Sequence, residues 1–179
     1  IERIKANKYR IVAIGEIGLD YFRPLAEGVR EKQKERFTQF IRLAKDLNLP
    51  IVTHIRSSYG DAYVDVFDIF ERENAENVIL HCFSGSESQL KEAIERNYWI
   101  TYATRVCPTK IYPRLAEKTP LERMLLETDA PWLDPDSKEL TNRPWKIEKS
   151  AEIIAALHNT TKEDVLEITA ENAKRVFGI

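Results

Sequence analysis

Short apolar runs that alternate with longer amphipathic segments constrain the fold of this chain more than any other feature of its sequence. Five such runs stand out, at residues 11–14, 51–52, 78–80, 99–102 and 124–126. Each run is brief and continuous, which is typical of parallel strands that are covered on both faces. Because helical patterns separate the runs, the sequence predicts a parallel α/β domain.

The segments between the runs carry apolar residues at every third or fourth position, the spacing of one helical face. These stripes are Phe37, Phe40, Ile41, Ala44 and Leu47; Val64, Phe67 and Phe70; and Leu90, Ala93 and Ile94. The first helix is expected to stop before Pro50, because the residue preceding a proline disfavours the helical conformation. Two further helices are predicted near the C-terminus, over residues 147–157 and 162–176.

Capping residues mark the ends of two of these helices. Ser86 with Gln89 forms a possible capping box at the start of the third helix, and Thr160 with Glu163 forms one at the start of the last. Gly178 is expected to end that last helix.

Four side chains of types that bind metal ions follow four of the apolar runs. Glu16 comes after the first run, His54 after the second, His81 after the third and Asp129 after the fifth. The C-terminal ends of parallel strands share one edge, and in a (β/α) barrel that edge carries the active site. Each residue alone would be interpreted as a structural histidine or a helix cap, but capping does not require four such residues at one end.

Imidazoles combined with carboxylates suit zinc, manganese or another divalent ion, so the pattern predicts a metal site. The third histidine, His158, lies near the end of a predicted helix and is interpreted as a surface residue.

Two sequence strings around these residues add detail. Residues 15–20 read Gly-Glu-Ile-Gly-Leu-Asp, and the glycines on both sides of the glutamate allow backbone turns and close ligand approach. Residues 81–86 read His-Cys-Phe-Ser-Gly-Ser and lead into a helix start, where the backbone N–H groups near Ser84 are able to receive an anion. Cys82 has no evident base beside it, so the sequence favours a small buried residue over a nucleophile.

Composition excludes several classes of function. Lys and Arg number 27 against 29 Asp and Glu, a net charge of −2, which excludes a generally basic chain that coats nucleic acid. No apolar run approaches the roughly 18 residues that a membrane span needs, so no membrane partner is expected. Two cysteines are too few for a disulfide framework, and a reducing cytoplasm is the expected location.

At five segments the chain resembles the TatD family of metal-dependent DNases. They are residues 13–21 (Ala-Ile-Gly-Glu-Ile-Gly-Leu-Asp-Tyr), 53–56 (Thr-His-Ile-Arg), 81–86 (His-Cys-Phe-Ser-Gly-Ser), 126–131 (Leu-Glu-Thr-Asp-Ala-Pro) and 171–178 (Glu-Asn-Ala-Lys-Arg-Val-Phe-Gly). The resemblance runs from about Val12 to the end of the chain, and it is specific because the motifs occur together.

The resemblance implies a TIM-type (β/α)8 barrel with one or two divalent ions (Mg, Mn or Zn) at its rim. Glu16 would bind or bridge the ions, His54 and His81 would bind one of them, and Asp129 would bind metal and activate the attacking water. The implied reaction is hydrolysis of DNA phosphodiester bonds, typically exonucleolytic trimming of DNA ends. On the residue chemistry, Arg56 and Arg143 are candidates for contacts to the substrate phosphate, as is Ser84 in the anion-friendly turn.

One departure from the family is large. Family members begin with a strand that ends in a His-x-His pair, and no such pair occurs here. The chain is therefore expected to supply only strands 4–8 of the barrel, within one N-terminally incomplete domain over residues 1–179. Uncovered strand edges would then favour self-association. Two alternatives stay open: a metallohydrolase of small esters or amides on the same barrel, and a non-catalytic remnant.

Overall fold

A computed structural model describes residues 1–107 and 109–179 of the chain. These residues form five strands and seven helices, with short 3-10 helices at Lys8–Arg10, Thr104–Val106, Leu121–Arg123 and Pro144–Lys146. The strands are β1 (Ile14–Asp20), β2 (Ile51–Arg56), β3 (Val78–Leu80), β4 (Trp99–Tyr102) and β5 (Met124–Leu126). The helices are α1 (Glu2–Ala6), α2 (Val29–Leu47), α3 (Ala62–Glu73), α4 (Glu87–Glu95), α5 (Ile111–Lys118), α6 (Ile147–His158) and α7 (Lys162–Phe177).

The chain forms two compact units, one of residues 1–81 with 176–179 and one of residues 82–175. In the first unit, β1 pairs with β2 and β2 pairs with β3, all in parallel. The register places Gly18 opposite His54 and Asp20 opposite Arg56. This register decides which side chains meet at the C-terminal ends of the strands.

Helices α2 and α3 build the apolar core of the first unit. Phe37 of α2 and Phe70 of α3 are both buried, with ring centroids 5.5 Å apart. Val64 was expected on the buried face of α3, but it is 52% exposed. The buried face carries Tyr63 and Val66 instead, because the apolar stripe is centred one position away from the predicted one.

The first predicted strand is misplaced. Residues 11–14 were expected to form it, but β1 covers Ile14–Asp20 and only Ile14 belongs to both. Val12 is 46% exposed and pairs with no strand, whereas the glycine-rich segment after Ile14 lies beside β2. Apolar content is therefore a poor guide here, since close pairing with β2 decides where the strand runs.

In the second unit, β4 and β5 pair in parallel with Ile100 opposite Met124. Their bounds, and those of β3, coincide with the predicted apolar runs. The buried Asn172 of α7 donates from Nδ2 to the carbonyl oxygens of Leu121 (2.7 Å) and Met124 (2.9 Å), which fixes α7 to the start of β5. The parallel α/β class predicted from the sequence is confirmed in both units.

The helix ends test the predicted caps. Ser86 and Gln89 form the predicted capping box of α4. The box of α7 lies one residue later than expected: Thr161 Oγ1 accepts the Asp164 N–H at 3.1 Å, and Asp164 Oδ2 accepts the Thr161 N–H at 3.3 Å. Aspartate serves as well as glutamate here because its shorter side chain still reaches back three residues. Gly178, with φ +68°, follows α7 as expected.

None of the described helices is long and apolar enough to cross a membrane.

Candidate metal centre

Glu16, His54 and His81 meet in the first unit near the C-terminal ends of three neighbouring strands. Glu16 was expected just after the first strand, but it is the third residue of β1, which continues to Asp20. His54 lies within β2, and His81 directly follows β3. The predicted convergence of these three side chains is thus observed, although the first strand was misplaced.

One carboxylate oxygen lies close to both imidazoles. Glu16 Oε2 is 3.5 Å from His54 Nδ1 and 3.6 Å from His81 Nε2. The His81 side chain is 9% exposed, whereas those of His54 and Glu16 are 37% and 47% exposed. The cluster therefore opens to solvent on the side of Glu16 and His54.

These separations fit the donor set of a divalent ion. Two ligand atoms of a tetrahedral ion with bonds of about 2.1 Å lie about 3.4 Å apart. The spacing from Glu16 Oε2 to the two ring nitrogens is close to that value. Two imidazoles and a carboxylate also match the ligand preference of zinc and manganese. Glu16 therefore fits an ion shared with either histidine by both chemistry and spacing.

Asp20 is a member of this cluster that the sequence reasoning did not single out. Its Oδ2 lies 3.5 Å from His54 Nε2, the ring nitrogen that faces away from Glu16. Arg56 donates to both oxygens of Asp20, from Nε at 3.2 Å and from Nη2 at 2.5 Å. The Phe22 N–H adds a hydrogen bond of 2.9 Å to Oδ1. Partial burial raises the pKa of Asp20, but the hydrogen bonds and charges of these neighbours outweigh it and hold the pKa below its ordinary value.

Helix α2 fixes the backbone at Asp20. The side-chain amide of Gln33 accepts the Asp20 N–H at 2.9 Å and donates to the Asp20 carbonyl oxygen at 3.2 Å. This pair of bonds satisfies the end of β1 as a further strand would. The carboxylate of Asp20 is thus held from both its backbone and its side chain.

The glycines of β1 allow β2 to approach closely. A Cβ atom on Gly18 would collide with the carbonyl group of His54, and one on Gly15 would lie 2.6 Å from the Cβ of Val52. The sequence interpretation assigned these glycines to backbone turns and ligand approach. In the structure, the backbone of His54 and the residue Val52 of β2 occupy the space that a Cβ atom at Gly18 or Gly15 would take.

Asp129 lies in the second unit, three residues after β5, with a left-handed backbone (φ +57°). The buried Asn142 holds its loop, since Nδ2 donates to the carbonyl oxygens of Trp132 (2.6 Å) and Thr128 (2.7 Å). The Trp132 N–H donates to the Asp129 carbonyl oxygen at 2.8 Å. Sequence reasoning missed Asn142, although it directly precedes the candidate Arg143.

The remaining residues that the sequence singled out are Arg143, Ser84 and His158. Arg143 donates from Nη1 to the carbonyl oxygens of Thr141 (3.2 Å) and Asn142 (3.0 Å) in its own loop. Ser84 is half-buried in the turn between β3 and α4. His158 ends α6 as expected, but it is half-buried with Nε2 3.0 Å from the Ala116 carbonyl oxygen, so it is not a freely exposed residue.

The Cys82 N–H belongs to a part-buried network at the start of the second unit. It donates to Glu127 Oε1 at 2.6 Å and lies 2.8 Å from Thr101 Oγ1, which itself bonds to Glu127. The Cys82 backbone is left-handed, with φ +45°. These contacts concern the Cys82 backbone and give its thiol no assigned role.

Comparison with known proteins matches almost the whole chain. The family model described as TatD related DNase matches residues 1–178. The uncharacterized metal-dependent hydrolase YabD of Bacillus subtilis is 39% identical over 184 residues, which cover 100% of this chain and 69% of YabD. The deoxyribonuclease TATDN3 of Homo sapiens is 36% identical over 177 residues, which cover 97% of this chain and 62% of that protein.

A solved structure shares the fold. The crystal structure of YJJV, a TatD homologue from Escherichia coli, superimposes with a TM-score of 0.87 at 24% identity, over 99% of this chain and 70% of YJJV. The chain spans 62–69% of the length of the two curated relatives above.

Proposed function

The chain belongs to the TatD related DNase family, and from that premise we propose that it hydrolyses phosphodiester bonds of DNA in a metal-dependent reaction at the cluster of Glu16, His54 and His81. The observation that carries the proposal is the position of Glu16 Oε2, 3.5 Å from one imidazole nitrogen and 3.6 Å from another. DNA ends are the proposed substrate, with exonucleolytic trimming as the outcome.

The proposed ligands of the metal are Glu16 Oε2, His54 Nδ1, His81 Nε2 and a carboxylate oxygen of Asp129. The distances within the first unit support the first three. The position of Asp129 after β5 and the family motif around it support the fourth. A divalent ion, or a pair of them, would lower the pKa of a coordinated water and neutralise charge on the phosphate when bound. The imidazoles favour zinc or manganese over magnesium.

Asp20 is proposed to orient His54. When its carboxylate accepts the proton of Nε2, the lone pair of the ring lies on Nδ1 and faces Glu16. Ligand histidines commonly hold this kind of hydrogen bond to a carboxylate, which fixes both the tautomer and the ring orientation. The two N–H bonds from Arg56 and the one from Phe22 keep the carboxylate in place.

The protein's remaining groups are proposed to act on water and substrate. Asp129 takes a proton from the attacking water as general base. Arg56 uses two of its five N–H donors on Asp20, so three others are able to bind the scissile phosphate. Arg143 and Ser84 are proposed as further substrate contacts.

We also propose that the five strands correspond to strands 4–8 of a TIM-type barrel, on the strength of the fold shared with YJJV. A cytoplasmic location and self-association of this chain are likewise proposals. Light scattering on the purified chain tests self-association, since a dimer or larger species is expected at micromolar concentration and a stable monomer would contradict it.

The experiment that tests the function uses all three histidines. Protein stripped with EDTA is titrated with manganese or zinc by calorimetry, and hydrolysis of an end-labelled single-stranded oligonucleotide is followed. His54→Gln and His81→Gln are expected to weaken metal binding and slow hydrolysis by at least about 10-fold each, the effect of losing a group that supports a metal site. His158→Gln is the matched control, because its ring contacts the Ala116 carbonyl oxygen instead of the cluster.

The outcomes separate the candidate functions. Unchanged metal affinity in both cluster variants would refute the proposed centre. Metal-dependent hydrolysis of p-nitrophenyl acetate without cleavage of DNA would support the esterase alternative. Tight metal binding without turnover of either substrate would support a non-catalytic role.

A further inference from the structure

Two aromatic side chains stand exposed where the backbone leaves β1 and β2. Phe22, two residues after the end of β1, is 48% exposed, and Tyr59, three residues after the end of β2, is 59% exposed. The Tyr59 N–H donates to the Tyr21 carbonyl oxygen at 2.9 Å, so the two segments run side by side past the end of the strands. The two rings therefore project from neighbouring stretches of backbone at the end of the strands that carries the metal cluster.

The positions of both aromatic residues are fixed by polar contacts. The Phe22 N–H is bonded to Asp20 Oδ1 at 2.9 Å, and the Arg56 guanidinium lies 4.6 Å from the centroid of the Phe22 ring. Arg30 donates to the Tyr59 carbonyl oxygen, and its guanidinium lies 4.5 Å from the Tyr21 ring. These contacts hold the backbone of both residues and one face of the Phe22 ring, while about half or more of each aromatic side chain stays exposed.

Contacts connect this surface to the proposed metal ligand His54. Asp20 Oδ2 lies 3.5 Å from His54 Nε2 and 2.5 Å from Arg56 Nη2, and Arg56 in turn lies against the Phe22 ring. A strand of nucleic acid whose phosphate reaches the cluster would pass its neighbouring base over these rings.

The charge beside the rings indicates the chemistry of the occupant. Arg23 and Arg56 belong to the segments that carry the rings, and Arg30 of α2 contacts the Tyr59 carbonyl oxygen; Arg23 is exposed. Exposed aromatic rings interleaved with arginine form the surface on which single-stranded nucleic acids stack their bases and neutralise their phosphates.

We propose that Phe22 and Tyr59 form a base-stacking platform that holds the nucleobase adjacent to the scissile phosphodiester of single-stranded DNA. The inference rests on the proposed nuclease function and adds a determinant of substrate class. It predicts a preference for ends with an unpaired base, because a paired base offers no free face for stacking.

The kinetic test compares two substrates that share a phosphodiester and differ in their bases. Phe22→Ala and Tyr59→Ala are each expected to raise KM for a single-stranded oligonucleotide by about 10-fold, the usual effect of removing one stacking contact. Hydrolysis of an otherwise identical oligonucleotide with an abasic residue in place of the stacked nucleotide is expected to change less than twofold, because it offers no ring to stack. An equal loss with both substrates would overturn the proposal.

Tyr9→Ala is the matched control. Tyr9 is 89% exposed and has the Lys8 ammonium 4.7 Å from its ring centroid, so it combines an aromatic ring with a cation. It precedes the first residue of β1 in the chain, whereas Phe22 and Tyr59 follow the ends of β1 and β2. The variant is expected to leave KM for the oligonucleotide unchanged, and a rise equal to that of Phe22→Ala would overturn the proposal.

A binding measurement keeps the inference testable if hydrolysis is not observed. Fluorescence anisotropy with a labelled oligonucleotide, with and without added manganese, is expected to show about 10-fold weaker binding by each ring variant. An oligonucleotide that lacks the stacked base should bind the wild-type protein more weakly by the same factor and lose nothing further in Phe22→Ala. If removing the base and removing the ring weaken binding independently, so that the two factors multiply, the stacking platform is refuted. If the second change adds nothing to the first but no metal-dependent hydrolysis is seen, the platform stands and the proposed nuclease function is refuted.

Discussion

Replacing Gly18 with alanine tests whether the close approach of β1 and β2 positions the metal ligands. Gly18 is paired with His54, and an added Cβ would lie 2.9 Å from the His54 carbonyl carbon and closer still to its oxygen. Both obstructing atoms belong to the backbone, so no side-chain rotation relieves the contact. The two strands must therefore separate at the position where His54 is held beside Glu16.

The expected cost follows from this geometry. Forcing an extra carbon into a packed region typically destabilises a protein by about 1–3 kcal/mol, and a backbone obstacle favours the upper part of that range. The displacement of His54 should also weaken metal binding by about 10- to 100-fold, the range for changes in groups that support a metal ligand. Urea unfolding of the metal-free protein measures the first effect and titration calorimetry with zinc measures the second.

Gly28→Ala is the matched control for that experiment. Gly28 has φ +74°, and nothing lies within 4 Å of an added Cβ, so alanine there meets only the left-handed backbone penalty of about 1 kcal/mol. Its metal affinity should equal that of the wild type. The reasoning is refuted if Gly18→Ala is no less stable than Gly28→Ala and binds zinc with wild-type affinity.

Three further predictions concern the second unit. Asp129→Asn should lower kcat for DNA hydrolysis by about 100-fold or more at saturating metal, the usual effect of losing a general base, and near-normal turnover would show the role to be misassigned. A hydrogen bond from Lys146 lowers the pKa of Asp134, so the stability it supplies is complete above the unfolded pKa of about 4 and is lost as pH falls toward the folded value. Asp134→Asn should flatten that acid limb of a urea-unfolding series against pH. Thr161→Ala should cost about 1 kcal/mol in the same assay through loss of the α7 cap, and more than Thr160→Ala, because only Thr161 accepts a backbone N–H there.

The strands that the sequence predicted correctly are those whose burial depends on their own side chains. All four residues of β4 are buried, as are all three of β3, so a continuous apolar run was sufficient to locate each strand. In β1, by contrast, Gly15 and Glu16 are exposed and the strand is defined by its pairing with β2. That pairing depends on residues more than 30 positions away, which no local pattern records.

The residues of the candidate site also include some that the sequence predicted and some that it did not. The predicted convergence of Glu16, His54 and His81 is observed, because residues near the C-terminal ends of neighbouring parallel strands meet. Asp20 was missed because its importance comes from its register opposite Arg56 and not from its own sequence context. Asn142 was missed because an amide side chain gives no sign in the sequence of which carbonyl groups it will serve.

The charges of the cluster in the first unit explain why a phosphodiester substrate would need a metal there. The cluster holds two carboxyl side chains, Glu16 and Asp20, with formal charges that sum to −2, and one guanidinium, that of Arg56, with a charge of +1. Arg56 is engaged with Asp20, and both side chains are partly exposed, so the pair gains little free energy beyond holding its own geometry. These charges sum to −1 and repel a phosphodiester anion, and a bound divalent cation offsets that repulsion. The carboxylates that make the site suitable for a cation thus also make substrate binding depend on that cation. The proposed contacts from Arg56 and from the rings of Phe22 and Tyr59 do not require the cation.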